Sequence, residues 1–198
     1  MKALLLRAKN ILIHPRYEWR VINDEPTTYT GVIFRYVSIL AVIPPAAAVA
    51  GKIIFDIPIP NSTLTSSVTY LVLTNMLWYC MYTLNVVIAG AVISAIVITT
   101  SGSRWNALRG LKVAAYSFTP LFIAGFVAVL PRMSWIVNAA IIYSIYLLYL
   151  GIRGLAAAGR KQAIGYTVAS FLSAAVIVGV MNLFEYFFES LVVNKLVY

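Results

Sequence analysis

Five apolar stretches recur along the chain, roughly over residues 32–50, 70–99, 111–130, 135–150 and 164–184. A helix crosses the hydrocarbon core of a bilayer in about 17–25 residues, so each stretch is near or above the required length, with the fourth marginal. The segments between them are short. The pattern predicts an all-α membrane protein with five transmembrane helices in one domain over residues 31–198, preceded by an N-terminal segment over residues 1–30. In that segment Leu4, Leu5, Ala8, Ile11 and Leu12 share a face at helical spacing, with Lys2 and Lys9 opposite. This predicts an amphipathic helix, lying either in the headgroup layer or under the bundle of spans.

Composition removes the soluble alternative. Hydrophobic residues make up 62% of the 198 and charged residues 11%, against about a quarter charged in soluble domains. Charge then sets the orientation. With the N-terminus in the cytoplasm, 12 of the 15 Lys and Arg fall on inner segments, and only Lys52, Arg132 and Lys195 fall outside. The positive-inside rule therefore predicts a cytoplasmic N-terminus and an external C-terminus. The net charge of +9 reads as topology and contact with anionic inner-leaflet lipid, not as a nucleic-acid surface. Cys80 is the single cysteine and His14 the single histidine, so no metal set or internal disulfide is expected. No catalytic residues and no cofactor are expected either, because no base stands near a nucleophile.

Several interruptions mark the spans. Pro44-Pro45 should kink or end span one. The external loop beginning at Gly51 holds the glycosylation pattern Asn61-Ser62-Thr63. Span two is too long for a perpendicular crossing and should tilt or project into water. It carries Asn85 near its middle, and Gly90, Ala91, Ser94 and Ala95 in small-residue spacing that suits a close helix contact. Gly151, Gly154 and Gly159 read as breaks after span four. Asn182, Glu185 and Glu189 share one face at the outer end of span five, where they could bind a cation or relay protons but read rather as a solvated helix end. No ionisable residue lies near the middle of a span, which reads as a bundle without buried charge.

The most suggestive constellation lies in spans three and four. Pro120 leaves the carbonyl of Tyr116 without its helical donor, and in lipid that vacancy needs a partner. Tyr143, Tyr146 and Tyr149 recur every three residues on the antiparallel neighbour. Counting depth along both helices predicts one cluster of Tyr116, Thr119, Pro120, Tyr143 and Tyr146. It would be either a structural brace or a site open to a headgroup or solute.

The strings Ala115-Tyr116-Ser117-Phe118-Thr119-Pro120 and Ile142-Tyr143-Ser144-Ile145-Tyr146-Leu147-Leu148-Tyr149-Leu150-Gly151 resemble motifs of the Yip family, the Ypt/Rab-interacting membrane proteins. The upstream positions Pro15, Trp19, Ile22 and Glu25 resemble its prokaryotic branch, and Tyr166 after a basic loop also fits. The resemblance implies five spans, a cytoplasmic N-terminus and a prokaryotic inner membrane, and it carries over no catalytic residues. The expected function is non-enzymatic, organising lipids or partner proteins from the cytoplasmic face. The expected partners are membrane lipids, anionic on that face, with a protein partner or self-association also open. The rival expectation is a small transporter, channel or lipid-moving protein with a polar path between spans three, four and five.

Overall fold

The computed structural model describes residues 2–55, 64–101, 105–130, 133–156 and 158–197, and among them every regular element is helical. Among the described residues, five helices are long and apolar enough to span a membrane: Tyr29–Ile54, Leu71–Thr99, Ala107–Val127, Trp135–Leu155 and Arg160–Phe184. Ahead of them stand two short helices, α1 (Lys2–Ile13) and α2 (Pro15–Asp24). The loop holding Asn61 lies outside the described residues, as do the side chains of Glu185 and Glu189.

Span one starts at a cap in which the Thr28 hydroxyl accepts from the Gly31 amide at 3.1 Å. It passes through a π-helical turn over Ile33–Val37. The helix then breaks at Ala41–Val42 and restarts at Ile43–Ile54, with both prolines in its first turn. Proline is tolerated there because first-turn amides have no helical acceptor. The prolines therefore produce a break with a restart, and the helix runs four residues beyond the Ala50 boundary read from hydropathy.

Span three is the axis of the bundle. Two-thirds of its most apolar window is buried, against 12% for span five. Its first helix, Ala107–Ser117, gives way at Phe118 to a second, Thr119–Ala124, again with proline in the first turn. A 3-10 segment over Gly125–Val129 follows. Here span one closes in: a Cβ placed on Gly125 would lie 2.4 Å from Pro44 Cγ.

Two boundaries differ from the hydropathic reading. Span four is one continuous helix over Ser134–Leu155, long enough to cross fully, and Gly151 and Gly154 lie inside it. Glycine reads as a breaker because it lowers helix propensity. At Gly151 it serves close packing, since an added Cβ would sit 2.7 Å from the Trp19 ring. Span five begins at Arg160, in a helix that continues to Val197.

The small-residue face of span two packs on span three. Gly90 and Ser94 meet Gly110: a Cβ on Gly110 would approach the Gly90 carbonyl oxygen to 2.4 Å. Ser94 Oγ donates to that carbonyl at 2.9 Å and accepts from Trp105 Nε1 at 3.3 Å. Asn85 is buried on the same helix, while Ala91 and Ala95 are exposed.

Candidate functional site

The functional candidate grows from α1 and α2, which fold back on each other at His14. Pro15 opens α2 in its first turn, so the corner is set by proline chemistry. Both helices lie against spans three and four. Ala8 and Ile11 of α1 are buried, and Leu4 and Leu12 pack against the core. Leu5, placed on this face by spacing, is instead 61% exposed, beside Leu6 and Ile13.

The position of the hairpin is pinned at several levels. Tyr143 Oη donates to the Leu12 carbonyl at 2.6 Å. Trp19 lies on Gly151, eight residues further along span four, or about 12 Å at ~1.5 Å rise per residue. Lys112, 6% exposed, reaches from span three to donate to the carbonyls of Ile22 and Glu25, each at 2.8 Å. Those carbonyls lie at the C-terminal end of α2, where helical acceptors lack donors and the dipole favours a cation. The hairpin is thus wedged beside one end of spans three and four.

A charged cluster sits inside this joint. Glu18 is 2% exposed and accepts from Arg7 Nη1 at 2.5 Å, while Arg7 Nη2 donates to Glu25. The Arg7 guanidinium lies 6.0 Å from the Tyr116 ring centroid, within cation–π range. Tyr116 meets Tyr36 at 4.6 Å and the edge of Trp19 at 6.2 Å. Tyr36 Oη and Thr119 Oγ1 are 2.8 Å apart. The expected bundle without buried charge is therefore corrected: Glu18 and Lys112 are buried. Neither gave a hydropathic signal, because Glu18 lies outside the apolar stretches and Lys112 sits at the edge of one.

The five residues of the expected cluster fall into two groups of contacts. Tyr116 and Thr119 meet Tyr36, Trp19 and Arg7, with Pro120 buried beside Thr119 in the same helical turn. Tyr143 and Tyr146 stack at 5.8 Å, and the Tyr143 hydroxyl serves Leu12. Of the motif-like positions, Pro15, Trp19 and Glu25 belong to the docked hairpin, and Gly151 of span four receives Trp19. Tyr166 is buried in span five, and Tyr149 accepts from Arg153 at 3.4 Å.

Between α2 and span four runs a groove of about 670 Å³. Arg16, Arg20 and Arg153 line it together with Trp19, Tyr146 and Tyr149. Asp24 is the one acid in its wall. Arginine beside tyrosine hydroxyls suits a phosphate or carboxylate, because the guanidinium presents paired donors in a plane. Gly151 fixes one wall by admitting Trp19. Gly151→Leu should push the indole away and undock the hairpin at a cost of about 1–3 kcal/mol, as overpacking does. Faster proteolysis within residues 2–25 would report it, and an unchanged cleavage rate would refute it.

A family model, the Yip1 domain, matches residues 9–181. Inner membrane protein YohC of Escherichia coli strain K12 is 26% identical over 183 aligned positions, covering 86% of each chain. The YohC protein of Escherichia coli O6:H1 matches to the same extent. No solved structure matches the chain.

Proposed function

The chain belongs to the Yip1 domain family, and from that premise we propose that it organises anionic lipids at the cytoplasmic face of the inner membrane without catalysing a reaction. It is an integral, multi-pass membrane protein. The single observation that carries the reading is the groove between α2 and span four, with Arg16, Arg20 and Arg153 around Tyr146 and Tyr149.

Lysine and arginine counts support placing this groove on the cytoplasmic side. There the anionic leaflet attracts basic segments by about 1 kcal/mol per residue near the surface. The hairpin adds shape to that attraction. It fixes Arg16 and Arg20 opposite Arg153, whereas a loose basic tail would have to be ordered on binding.

The rival reading, a solute path, requires continuous polar lining. The second large space, between the spans, is walled mainly by apolar side chains. This supports lipid contact over solute passage.

Arg16→Gln, Arg20→Gln and Arg153→Gln combined should lower the number of phosphatidylglycerol molecules that co-purify with each detergent-solubilised chain, read by native mass spectrometry. Retention equal to the parent protein would overturn the proposal. The orientation has its own measurement. Single cysteines near Arg20, in a Cys80→Ser background, should resist membrane-impermeant maleimide in sealed cells, and labelling from outside would invert the topology.

A further inference from the structure

We propose that the cavity in the half of the bundle remote from the hairpin holds one acyl chain of an anionic phospholipid, with the lipid phosphate at Lys52. The cavity measures about 710 Å³ and is bordered by all five spans. That volume lies within the usual range of small-ligand sites, about 300–1,000 Å³.

Its shape follows from the residues that bound it. Asn75 near the start of span two and Asn85 at its middle both line it. Ten residues of helix separate them, about 15 Å at ~1.5 Å per residue. One leaflet of a ~30 Å hydrocarbon core has the same depth. Ser117 and Ser144 line the cavity near the middle of spans three and four, and Lys52 lines it two residues before the end of span one. The slot therefore runs from one membrane interface to the midplane, with the cation at the interface end.

The walls match a hydrocarbon chain. Trp78, Tyr82 and Phe122 form a continuous aromatic side, with ring centroids 5.4 and 6.5 Å apart. Phe171, Ala174 and Val178 of span five complete the lining. A hydrocarbon chain lying along this lining gains dispersion contacts with its apolar side chains. In a bilayer the filling material at hand is an acyl chain. Entry beside span five follows from that helix being the least buried of the five, with Phe171 and Val178 partly exposed.

The Ser117 and Ser144 hydroxyls have no hydrogen-bond partner among the described residues. They do not demand a polar occupant, since a helical serine can rotate to the carbonyl one turn back. The chain end would pass beside them.

Native mass spectrometry of the protein purified in mild detergent should find one phospholipid per chain that survives Arg16→Gln, Arg20→Gln and Arg153→Gln combined. That separates it from lipid held in the groove, so either reading can fail alone. Ala174→Phe, which fills the slot, should remove it while the melting temperature is kept. Ile141→Trp fills the same space from span four should the first variant misfold. Lys52→Gln should keep a lipid and lose the preference for phosphatidylglycerol over phosphatidylcholine. In vesicles of phosphatidylglycerol with brominated acyl chains, the parent protein should lose more tryptophan emission than Trp78→Phe. A parent protein without the retained lipid, a folded filling variant that still carries it, or equal quenching with and without Trp78 would each overturn the proposal. So would a non-lipid compound retained in its place.

Discussion

Arg7→Met should destabilise the protein by about 3–5 kcal/mol, the cost of leaving a buried charge without its partner. Glu18 is the reason. Its side chain is 3% exposed and pairs with Arg7 at 2.5 Å. Without the guanidinium, the carboxylate stays buried, where water cannot replace the lost donor. Glu25 would suffer less, since its side chain is 39% exposed and can turn to solvent. The double variant Arg7→Met with Glu18→Met should recover most of the loss, because exchanging a whole buried pair for apolar side chains of similar size is often neutral or stabilising. Thermal melting in detergent would measure both. A single variant that melts with the parent protein would show that the ion pair does not hold the hairpin. A double variant as unstable as the single would show that Arg7 acts through Tyr116 or Glu25 instead.

Gly110→Val should cost about 3 kcal/mol or more and lower the yield of folded protein, because it separates spans two and three at their closest approach. A Cβ at Gly110 would fall 1.9 Å from Ser94 Oγ and 2.4 Å from the Gly90 carbonyl oxygen. The serine hydroxyl could swing aside, at the expense of its bond to Gly90 and the one from Trp105. The carbonyl is backbone and cannot move without the helix. The contact is reciprocal, since a Cβ on Gly90 would lie 2.7 Å from Leu111 Cα. Gly165 supplies the opposite sign. Nothing lies within 4 Å of a Cβ placed there, so Gly165→Ala should gain about 0.5–1 kcal/mol of helix propensity. If Gly110→Val and Gly165→Ala shift the melting temperature alike, the helices do not depend on glycine for their approach.

Both predictions concern contacts of different legibility. The Gly90 and Ser94 face of span two could be read from the chain, because small residues four apart lie on one side of a helix. Its partner Gly110 could not, since a lone glycine at the start of span three carries no such pattern. Pro44, Pro45 and Pro120 marked the interrupted helices, because the missing amide is a local property. Gly151 misled for the same reason. Propensity is local, and it reads a glycine as a break when the glycine admits an indole from a helix more than a hundred residues earlier.

Hydropathy and the spacing of Lys and Arg determined the all-helical architecture, the five candidate spans and the expectation of a charged cytoplasmic side. These follow from transfer into lipid, a property of each segment by itself. The tertiary structure alone decided where α1 and α2 go, that Arg7, Glu18, Glu25 and Lys112 share one joint, and that two large spaces open on either side of it. Those features depend on side chains far apart in the chain meeting at a few ångströms. No periodicity in the sequence records which buried cation will find which carbonyl, because the match is made by the packing of whole helices.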